Sequence, residues 1–335
     1  MQAAIVTRYG PPNVLQIREV PKPQAKAGQV IIRQHATSLN SGDARIRGAN
    51  MPPGFGLILR LVFGLRGPRQ PILGICVAGE VSEIGPGVTG ITLGDRVLAT
   101  TGFAMRAHAE YVAVKANRLV PLPESLGMEE AAALPFGALT ALYYLRDRAK
   151  VQPGESVLVI GASGAVGAAT VQLAHHFGAR VTAVCNTKNV ELVRSLGADR
   201  VVDYTREDFT KSGERYDVVL DAVQKHSFRR SRRSLLPGGL YVATDLGFLW
   251  HVPLLALLTR WIGSRKLVFA LDGPTKEDLA LVEELIEAGR YRAVVDRTYP
   301  LEHVVAATRY VETGQKTGNV VLTVNREDTP APGMA

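Results

Sequence analysis

Over the first 120 residues the hydrophobic positions form short runs rich in Val and Ile, and Gly, Pro or Asp bounds most of them. Runs of this length and composition are typical of β-strands. Many short strands separated by turns predict an all-β region of the barrel or sandwich type. The predicted strands cover residues 3–8, 14–20, 29–39, 77–84, 96–100 and 110–114.

The pattern changes near Pro121. Residues 124–147 are rich in Ala and Leu and predict a helix, although Pro135 and Gly137 lie within it. From Glu155 onward, continuous apolar runs alternate with helical spacing, which predicts a doubly wound parallel sheet. Its predicted strands cover 156–160, 180–185, 201–204, 218–222 and 240–244, with helices at 165–177 and 189–196.

The C-terminal part of the chain predicts a further mixed segment. An amphipathic pattern at 276–288 and helical spacing at 301–313 predict two helices, and an apolar run at 319–324 predicts a final strand. The tail, 326–335, contains Pro and Asp and is predicted to be frayed.

Length and charge narrow the class of protein. A chain of 335 residues is long for one compact domain and predicts two. Lys+Arg 39 against Asp+Glu 31 gives a net charge of +8, which favours anionic partners such as nucleotide phosphates. Because Cys76 and Cys185 lie far apart and form no CxxC pair, a disulfide scaffold and a cysteine-rich zinc lobe are excluded.

Two apolar stretches, 54–64 and 247–261, are too short and too interrupted to predict a membrane span. The interrupting residues are Arg60 in the first stretch and His251, Pro253 and Arg260 in the second. The first ten residues contain no apolar core of a signal peptide. We therefore expect a cytoplasmic protein with no membrane span.

The strongest local signal is a glycine-rich turn between a predicted strand and a predicted helix. The segment 157–167 reads VLVIGASGAVG, and Gly161, Gly164 and Gly167 open the helix. Such a turn lets the backbone approach a pyrophosphate, and the helix N-terminus presents N–H groups to the anion. Because Ala162 stands where GxGxxG has its first glycine, an ordinary glycine turn is the alternative interpretation.

The end of the next predicted strand indicates which dinucleotide would bind. An NAD site offers Asp or Glu about 20 residues beyond the glycines, but no acidic residue lies between Ser156 and Val190. Asn186, Thr187 and Lys188 follow the strand instead, and they suit a 2′-phosphate. The sequence therefore favours NADPH, with a solvated lysine as the alternative for Lys188.

A basic run at 228–233, FRRSRR, has two interpretations. Four arginines close together would engage the backbone phosphates of a nucleic acid. The same spacing fits the solvated outer face of a helix in the parallel-sheet domain. We favour the second interpretation and do not expect nucleic acid as a partner.

Several segments together resemble a known family over the whole chain from Met1 to Val324. They are residues 38–43, 73–80, 85–88, 94–97, 131–135, 161–167, 196–204, 236–239 and 314–321, which include SLNSGD, LGICVAGE and LGADRVVDY. The chain resembles the zinc-independent medium-chain dehydrogenase/reductases of the quinone oxidoreductase branch, and within it the reticulon-4-interacting-protein-like group.

The resemblance implies an α/β fold with a GroES-like β domain and an inserted Rossmann domain that contains a doubly wound parallel sheet. The GroES-like catalytic domain would comprise residues 1–121 and 273–325, and the NADP-binding Rossmann domain residues 122–272. The active site would lie in the cleft between them. A homodimer would form through a Rossmann edge strand, for which residues 266–271 are the candidate.

The resemblance also assigns site residues by position. Asn40 and Thr140 would lie beside the nicotinamide, and Asp43 is a third candidate catalytic residue. Tyr204 would contact the adenosine side. The implied cofactor-binding set is Ser163, Gly164, Ala165, Val166, Gly167, Asn186, Thr187, Lys188, Tyr204, Val223 and Gly247.

Zinc is not expected. In the zinc-dependent branch a cysteine stands where this chain has Asn40, and a Gly-His-Glu motif falls on Gly74, Ile75 and Cys76, so the histidine is absent. A catalytic zinc needs three protein ligands. Cys76 is therefore interpreted as a small buried thiol rather than a ligand.

The implied activity is hydride transfer from NADPH, without a metal, to a small hydrophobic electrophile: a quinone, an activated alkene or a reactive carbonyl. Many relatives carry a tyrosine after the NxxD segment as a candidate proton donor, but residues 45–71 contain none. Solvent, Asp43 and an arginine-bound water are left as proton sources, with His108 a weaker candidate. The missing tyrosine also keeps open an NAD(P)H-binding regulatory or nucleic-acid-binding protein with little turnover.

Residues 51–65 and 248–261 have three interpretations. These apolar segments would cover a hydrophobic acceptor, pack on the protein's own core or a dimer partner, or contact a membrane surface that carries a lipophilic quinone.

Overall fold

The computed structural model describes residues 1–50, 56–223, 226–244, 251–259, 264–268 and 275–324. The strands are β1 Gln2–Val6, β2 Leu15–Glu19, β3 Gln29–Leu39, β4 Cys76–Ile84, β5 Arg96–Thr100, β6 Tyr111–Lys115, β7 Leu119–Pro121, β8 Ser156–Ile160, β9 Arg180–Cys185, β10 Arg200–Asp203, β11 Tyr216–Asp221, β12 Leu235–Ala243, β13 Lys266–Val268, β14 Val295–Pro300 and β15 Asn319–Thr323. The helices are α1 Ser41–Gly48, α2 Gly56–Phe63, α3 Met128–Leu142, α4 Ala165–His176, α5 Val190–Ser195, α6 Phe228–Ser231, α7 His251–Thr259, α8 Lys276–Glu287 and α9 Val304–Glu312. Gly247, residues 269–271 of the predicted edge strand, and the tail lie outside the described residues.

The chain divides into two compact units. The first contains Met1–Asn50, Arg60–Pro135 and the segment that begins at Val295, and the second contains Phe136–Val294 with the segment that ends at Leu59. These limits fall later than the predicted ones at 121/122 and 272/273. Contacts inside the second unit account for the C-terminal difference: Asp278 of α8 pairs with Arg146 at 2.8 Å, and the backbone N–H of Arg292 donates to Gln172 at 2.9 Å.

The first unit is built on a sheet with the strand order β14-β15-β3-β4-β5-β7, and β6 also pairs with β3. The last strand completes it, because β15 runs antiparallel to β3 with Val320 opposite Leu39. Buried Arg47 of α1 donates to the carbonyl of Gly10 and forms an ion pair with Glu312 of α9. The two ends of the chain therefore fold into one core.

The second unit contains a six-stranded parallel sheet with the order β10-β9-β8-β11-β12-β13. The chain moves outward from β8 to one side and then, from β11, to the other. Ligands of such sheets bind at the carboxyl ends of the strands where the order reverses, which is between β8 and β11. The predicted α/β class and the two sheet types are confirmed, and β13 lies at an edge of the sheet.

Helix α3 forms despite Pro135, as the sequence predicts, but it begins at Met128 rather than residue 124. Residues Tyr143–Ala149 continue it as a π-helical turn. A Cβ at Gly137 would lie 2.5 Å from the carbonyl oxygen of Ala165, so only glycine permits this approach to the start of α4. The helix is thereby held against the glycine-rich turn.

The two apolar segments are only partly buried. In α2, Phe63 packs against the core of the first unit, whereas Leu57, Leu61 and Val62 are 68%, 54% and 58% exposed. In α7, Val252 is buried and Leu257 is 58% exposed. No helix among the described residues is long and apolar enough to cross a membrane. The three interpretations of these segments stay predictions.

Candidate cofactor-binding and active-site residues

The glycine-rich turn follows β8 directly and is shaped by close backbone contacts. Gly161 has φ +78°, a conformation that favours glycine. A Cβ at Gly167 would lie 2.1 Å from the carbonyl oxygen of Gly161, so a side chain there would separate the helix from the strand. The glycines therefore set the distance between β8 and α4, as a phosphate-binding turn requires.

The first turn of α4 presents backbone donors without a side-chain cap. Gly164 is the N-cap in an extended conformation and makes no side-chain hydrogen bond. The N–H groups of Ala165, Val166 and Gly167 belong to the first helical turn, which has no intrahelical acceptors, and the helix dipole adds positive potential there. With Ser163 beside them, these residues fit the pyrophosphate of a dinucleotide.

The loop that follows β11 covers the glycine-rich turn. The side chain of Val223 lies over Gly161, because a Cβ built on that glycine would be 2.5 Å from Cγ1 of Val223. Asp221 holds the loop: it is fully buried and accepts from the N–H of Val223 at 3.0 Å and of His226 at 3.2 Å. The Tyr241 hydroxyl also contacts this carboxylate at 3.0 Å.

The resemblance assigns Val223 to the cofactor site but does not indicate Asp221. An acidic residue that ends an apolar strand was the available signal, since buried carboxylates require hydrogen-bond partners. Its partners come from other segments, so the sequence alone does not identify its role. Asp221 is a positioning residue for the loop over the glycine-rich turn.

The predicted 2′-phosphate pocket contains an acidic residue that sequence reasoning missed. Thr187 donates through Oγ1 to Oδ2 of Asp203 at 2.6 Å, and that hydrogen bond lowers the pKa of the Asp203 carboxyl. Asp203 ends β10 opposite Cys185 of β9, and the Arg206 guanidinium lies 3.5 Å from it. The predicted pocket therefore contains one carboxylate beside Thr187 and Lys188, with the Arg206 guanidinium as its neighbouring positive charge.

The other predicted residues on this side lie nearby. Asn186 accepts a 2.8 Å hydrogen bond from Asn189 through its side-chain oxygen, and Lys188 is exposed at the end of β9. Tyr204 follows Asp203 and is 55% exposed, with its N–H bonded to the Cys185 carbonyl at 3.0 Å. The structure therefore brings these residues to the carboxyl ends of β9 and β10.

Thr140 belongs to the second unit and lies one turn after Gly137 on α3. Its hydroxyl donates to the carbonyl of Phe136 at 2.7 Å, and the residue is half-buried. The close contact of Gly137 with Ala165 holds this part of α3 near the start of α4. Thr140 therefore lies on the part of α3 that is held against the start of α4, directly after the glycine-rich turn.

In the first unit, Asn40 is fixed at the N-terminus of α1. Its Oδ1 accepts from the N–H groups of Gly42 at 2.8 Å and Asp43 at 3.2 Å. In turn, Oδ2 of Asp43 accepts a hydrogen bond from the N–H of Asn40 at 3.0 Å. This capping box orients the amide. Nδ2 of Asn40 and Oγ of Ser38 are buried and have no hydrogen-bond partner among the described residues.

An unpartnered buried donor is costly unless a ligand supplies its acceptor. The Asn40 Nδ2 group is oriented by its own cap and is therefore suited to donate to a carbonyl oxygen. Ser38 is not among the predicted site residues, although the SLNSGD segment contains it. These two donors are candidate polar contacts for a bound ligand.

Asp43 lies behind Asn40 in a closed environment. Oδ1 of Asp43 accepts from the N–H of Gly74 at 3.1 Å. Nε2 of His108 lies 3.9 Å from Oδ2 of Asp43. Burial raises the pKa of the Asp43 carboxyl, while His108 and the backbone donors lower it in part. His108 is 1% exposed and packs on Gly74, where a Cβ would lie 2.3 Å from the ring. These contacts favour a positioning role for both residues.

The residues present do not fit a catalytic zinc. Asn40 uses its oxygen as a helix cap, and Cys76 is fully buried in β4. Within the described ranges, no group of three His, Cys, Asp or Glu residues is placed to hold a metal ion. Burial raises the pKa of the second cysteine, Cys185, to about 11, which keeps its thiol protonated.

Comparison with known proteins identifies the family of this chain. The family "Alcohol dehydrogenase GroES-like domain" matches residues 26–124, and "Zinc-binding dehydrogenase" matches residues 196–322. The chain is 32% identical over 316 residues to a chloroplast envelope quinone oxidoreductase homolog of Arabidopsis thaliana, covering 91% of this chain and 92% of the relative. It is 32% identical to the mitochondrial NAD(P)H oxidoreductase RTN4IP1 of Mus musculus over 97% of this chain and 89% of the relative. It is 33% identical to 2-methylene-furan-3-one reductase of Solanum lycopersicum over 96% and 79%.

Solved structures show the same architecture. The quinone oxidoreductase from Coxiella burnetii superposes with a TM-score of 0.85 at 29% identity, over 97% of this chain and 99% of that chain. A mycobacterial protein complexed with NADPH superposes with a TM-score of 0.81 at 28% identity, over 96% and 99%. The chain belongs to the quinone oxidoreductase branch of the medium-chain dehydrogenase/reductase family, and it is an oxidoreductase.

Proposed function

We propose that the protein is an NADPH-dependent reductase of quinones and activated alkenes that works without a metal. The glycine-rich turn carries this proposal, because Gly161 and Gly167 leave the backbone free to approach a pyrophosphate at an uncapped helix N-terminus. Relatives named as a quinone oxidoreductase homolog and a furanone reductase support the acceptor class. The regulatory alternative has no support of this kind.

The residues that would hold NADPH divide by role. The turn 163–167 binds the pyrophosphate through backbone N–H groups, and Val223 closes over it. Asn186, Thr187 and Lys188 lie at the 2′-phosphate, with Tyr204 on the adenosine side. The similar mycobacterial structure complexed with NADPH supports this choice of cofactor. Because Asp203 shares the pocket, we expect a moderate preference over NADH, about tenfold.

The reaction needs little chemistry from the protein. When bound, the reduced nicotinamide supplies a hydride; with one proton from solvent, a quinone becomes a hydroquinone and NADP⁺ is released. Asn40 donates its unpartnered N–H to a carbonyl oxygen of the bound molecules, which orients them and stabilises negative charge on that oxygen. Asp43 holds Asn40 in that orientation. Thr140, in the second unit, is the other residue that the resemblance assigns to the nicotinamide.

Turnover is the first test. Purified protein mixed with NADPH and a panel of small quinones, enones and reactive aldehydes should consume NADPH with at least one acceptor, and dialysis against a metal chelator should leave the rate unchanged. Tight NADPH binding without turnover on any acceptor would contradict the reductase. Loss of activity on chelation, restored by zinc, would contradict metal independence.

The cofactor assignment has a separate test. Lys188→Ala should reduce the ratio of NADPH to NADH affinity several-fold, and Asp203→Asn should increase it, since each removes one charge beside the 2′-position. Glu207→Gln, an exposed acidic residue one turn away, is the matched control and should leave the ratio unchanged. If Lys188→Ala and Asp203→Asn behave like this control, the pocket is misassigned.

We also propose a homodimer through the edge of the parallel sheet. Strand β13 lies at the end of the strand order, so one side of its backbone is available for pairing with a second copy. Sedimentation of the purified protein tests this, and a monomer at micromolar concentration would contradict it. The cytoplasmic location stays a prediction.

A further inference from the structure

Six basic side chains converge on one cavity in the second unit, away from the glycine-rich turn. The cavity has a volume of about 680 Å³, within the size range of small-molecule sites. Its basic side chains are Lys211, Arg215, Arg229, Arg232, Arg233 and Arg265. One acidic side chain, Glu214, lines it as well.

The cavity and the proposed cofactor site lie at opposite ends of the strands of the parallel sheet. Its residues come from the segments that immediately precede β11, β12 and β13, so they lie at the amino ends of these strands. The glycine-rich turn follows the carboxyl end of β8, which pairs with β11. A five-residue strand spans about 17 Å, so one molecule of NADPH bound at the turn does not account for this charge.

Within the described ranges, the acidic side chain of the cavity does not neutralise its basic groups. The carboxylate of Glu214 forms an ion pair with Arg200 and accepts a 2.8 Å hydrogen bond from the Tyr216 hydroxyl. Among the described residues, the side chains of Arg229, Arg232 and Arg233 have no hydrogen-bond or ion-pair partner. Neighbouring Arg230, by contrast, pairs with Asp208 at 3.0 Å. The unpaired arginines face the cavity and the paired one does not line it.

The structure also fixes part of this arrangement. Arg265 donates through Nε to the carbonyl of Leu235 at 2.9 Å, which holds its guanidinium at the amino end of β12. The Ser227 hydroxyl caps α6, the helix that carries Arg229, by accepting from the N–H of Arg230 at 3.3 Å. Like charges held close together, with no counter-charge among the described residues, give a positive potential that favours an anionic ligand.

The lining indicates the chemical class of that ligand. Among the described residues, the lining contains no aromatic side chain on which a nucleic-acid base would stack and no large apolar side chain that would enter a lipid layer. Guanidinium groups bind phosphate oxygens in a bidentate way. We propose that this cavity is a second binding site, for a small soluble polyanion that carries several phosphate groups.

The test uses the full-length protein and inorganic tripolyphosphate as the probe, measured by calorimetry with saturating NADPH present so that the glycine-rich turn is occupied. The triple variant Arg229→Ala/Arg232→Ala/Arg233→Ala should weaken tripolyphosphate binding by at least about tenfold. The control variant Lys26→Ala/Lys115→Ala/Arg290→Ala removes the same charge from exposed positions elsewhere and should bind like the wild type. Arg232→Lys/Arg233→Lys keeps the charge but loses the bidentate geometry, so its binding should be intermediate.

Several results would overturn the proposal. Undetectable tripolyphosphate binding by the wild type, or an equal loss in the control variant, would remove the site. Binding of anionic vesicles or a short single-stranded RNA that depends on these arginines, without tripolyphosphate binding, would assign the charge to a lipid surface or a nucleic acid instead. The site is independent of the proposed reductase activity, because NADPH turnover by the triple variant should equal that of the wild type.

Discussion

The glycine-rich turn of the second unit and the start of α1 in the first unit both present N–H donors, but they do so in different ways. At the turn the donors belong to the backbone, and the absence of side chains at Gly161 and Gly167 makes them accessible. At α1 the donor is the Asn40 side chain, which needs its own cap, Asp43 and His108 to hold it in place. The first kind of site is sensitive to added atoms and the second to lost hydrogen bonds.

The largest effect should come from adding one methyl group at the turn. Gly167→Ala places a Cβ 2.1 Å from the Gly161 carbonyl, which should cost about 3 kcal/mol of unfolding free energy and abolish measurable NADPH binding. Gly164→Ala is the matched control, since its Cβ would meet only the Gly161 oxygen at 3.5 Å. Urea unfolding and NADPH titration measure both variants, and equal unfolding free energies would contradict the close contact.

A smaller effect should follow from loosening the loop over the turn. Asp221→Asn removes a buried carboxylate that accepts from two backbone N–H groups, which should cost about 2 kcal/mol of stability and weaken NADPH binding several-fold. Asp217→Asn is the control at the other end of β11, where Asp217 accepts from Ser156 at 2.8 Å. It should lower stability without changing NADPH affinity; equal affinity losses would show that Asp221 has no specific role at the turn.

At α1, a substitution should separate stability from turnover. Asn40→Ser keeps an oxygen that can cap the helix but removes the amide donor, so the unfolding free energy should change by less than about 1 kcal/mol. The kcat should fall about tenfold or more, because the donor to the carbonyl oxygen is lost. Asn40→Ala should lose both. Unchanged kcat in Asn40→Ser would exclude this donor from the reaction.

The smallest effect is a pH dependence of stability. Burial raises the folded-state pKa of Asp43 above its value in the unfolded chain, which is about 4. Between these two pKa values the folded state binds more protons, so the unfolding free energy falls as pH rises. Asp43→Asn should remove this slope in urea unfolding measured over a pH series. Identical slopes in both proteins would contradict a raised pKa.

The same contrast explains what the sequence predicts. Strands β3, β5, β8 and β9 have the predicted limits because a polar residue or a glycine directly follows each of their apolar runs. The three-residue strand β7 is too short to give a pattern, and β12 begins at Leu235 rather than 240 because pairing with β11 continues across the Pro-Gly-Gly turn. A sequence pattern therefore predicts the limits of a strand when neighbouring residues end it, but not when pairing with another strand does.

The candidate sites follow the same rule. The glycine-rich turn is a continuous segment, so its chemistry can be predicted from its own residues. Asp203 reaches Thr187, and Asp221 holds the loop over the glycine-rich turn, only because the strands that they end lie beside β9 and β8 in the sheet. The basic cavity likewise depends on three segments that the strand order brings together. A basic run at 228–233 alone could not distinguish a solvated face from a cavity wall.

The pairing of β15 with β3 also determines the order in which the chain can fold during synthesis. Leu39 can pair with Val320 only after Val320 has been synthesised, and the ion pair of Arg47 likewise requires Glu312. The parallel sheet, by contrast, draws all its strands from residues 156–268. The Rossmann unit can therefore fold on the ribosome while the strands of the first unit are still incomplete, so chaperones should be needed first by the N-terminal strands.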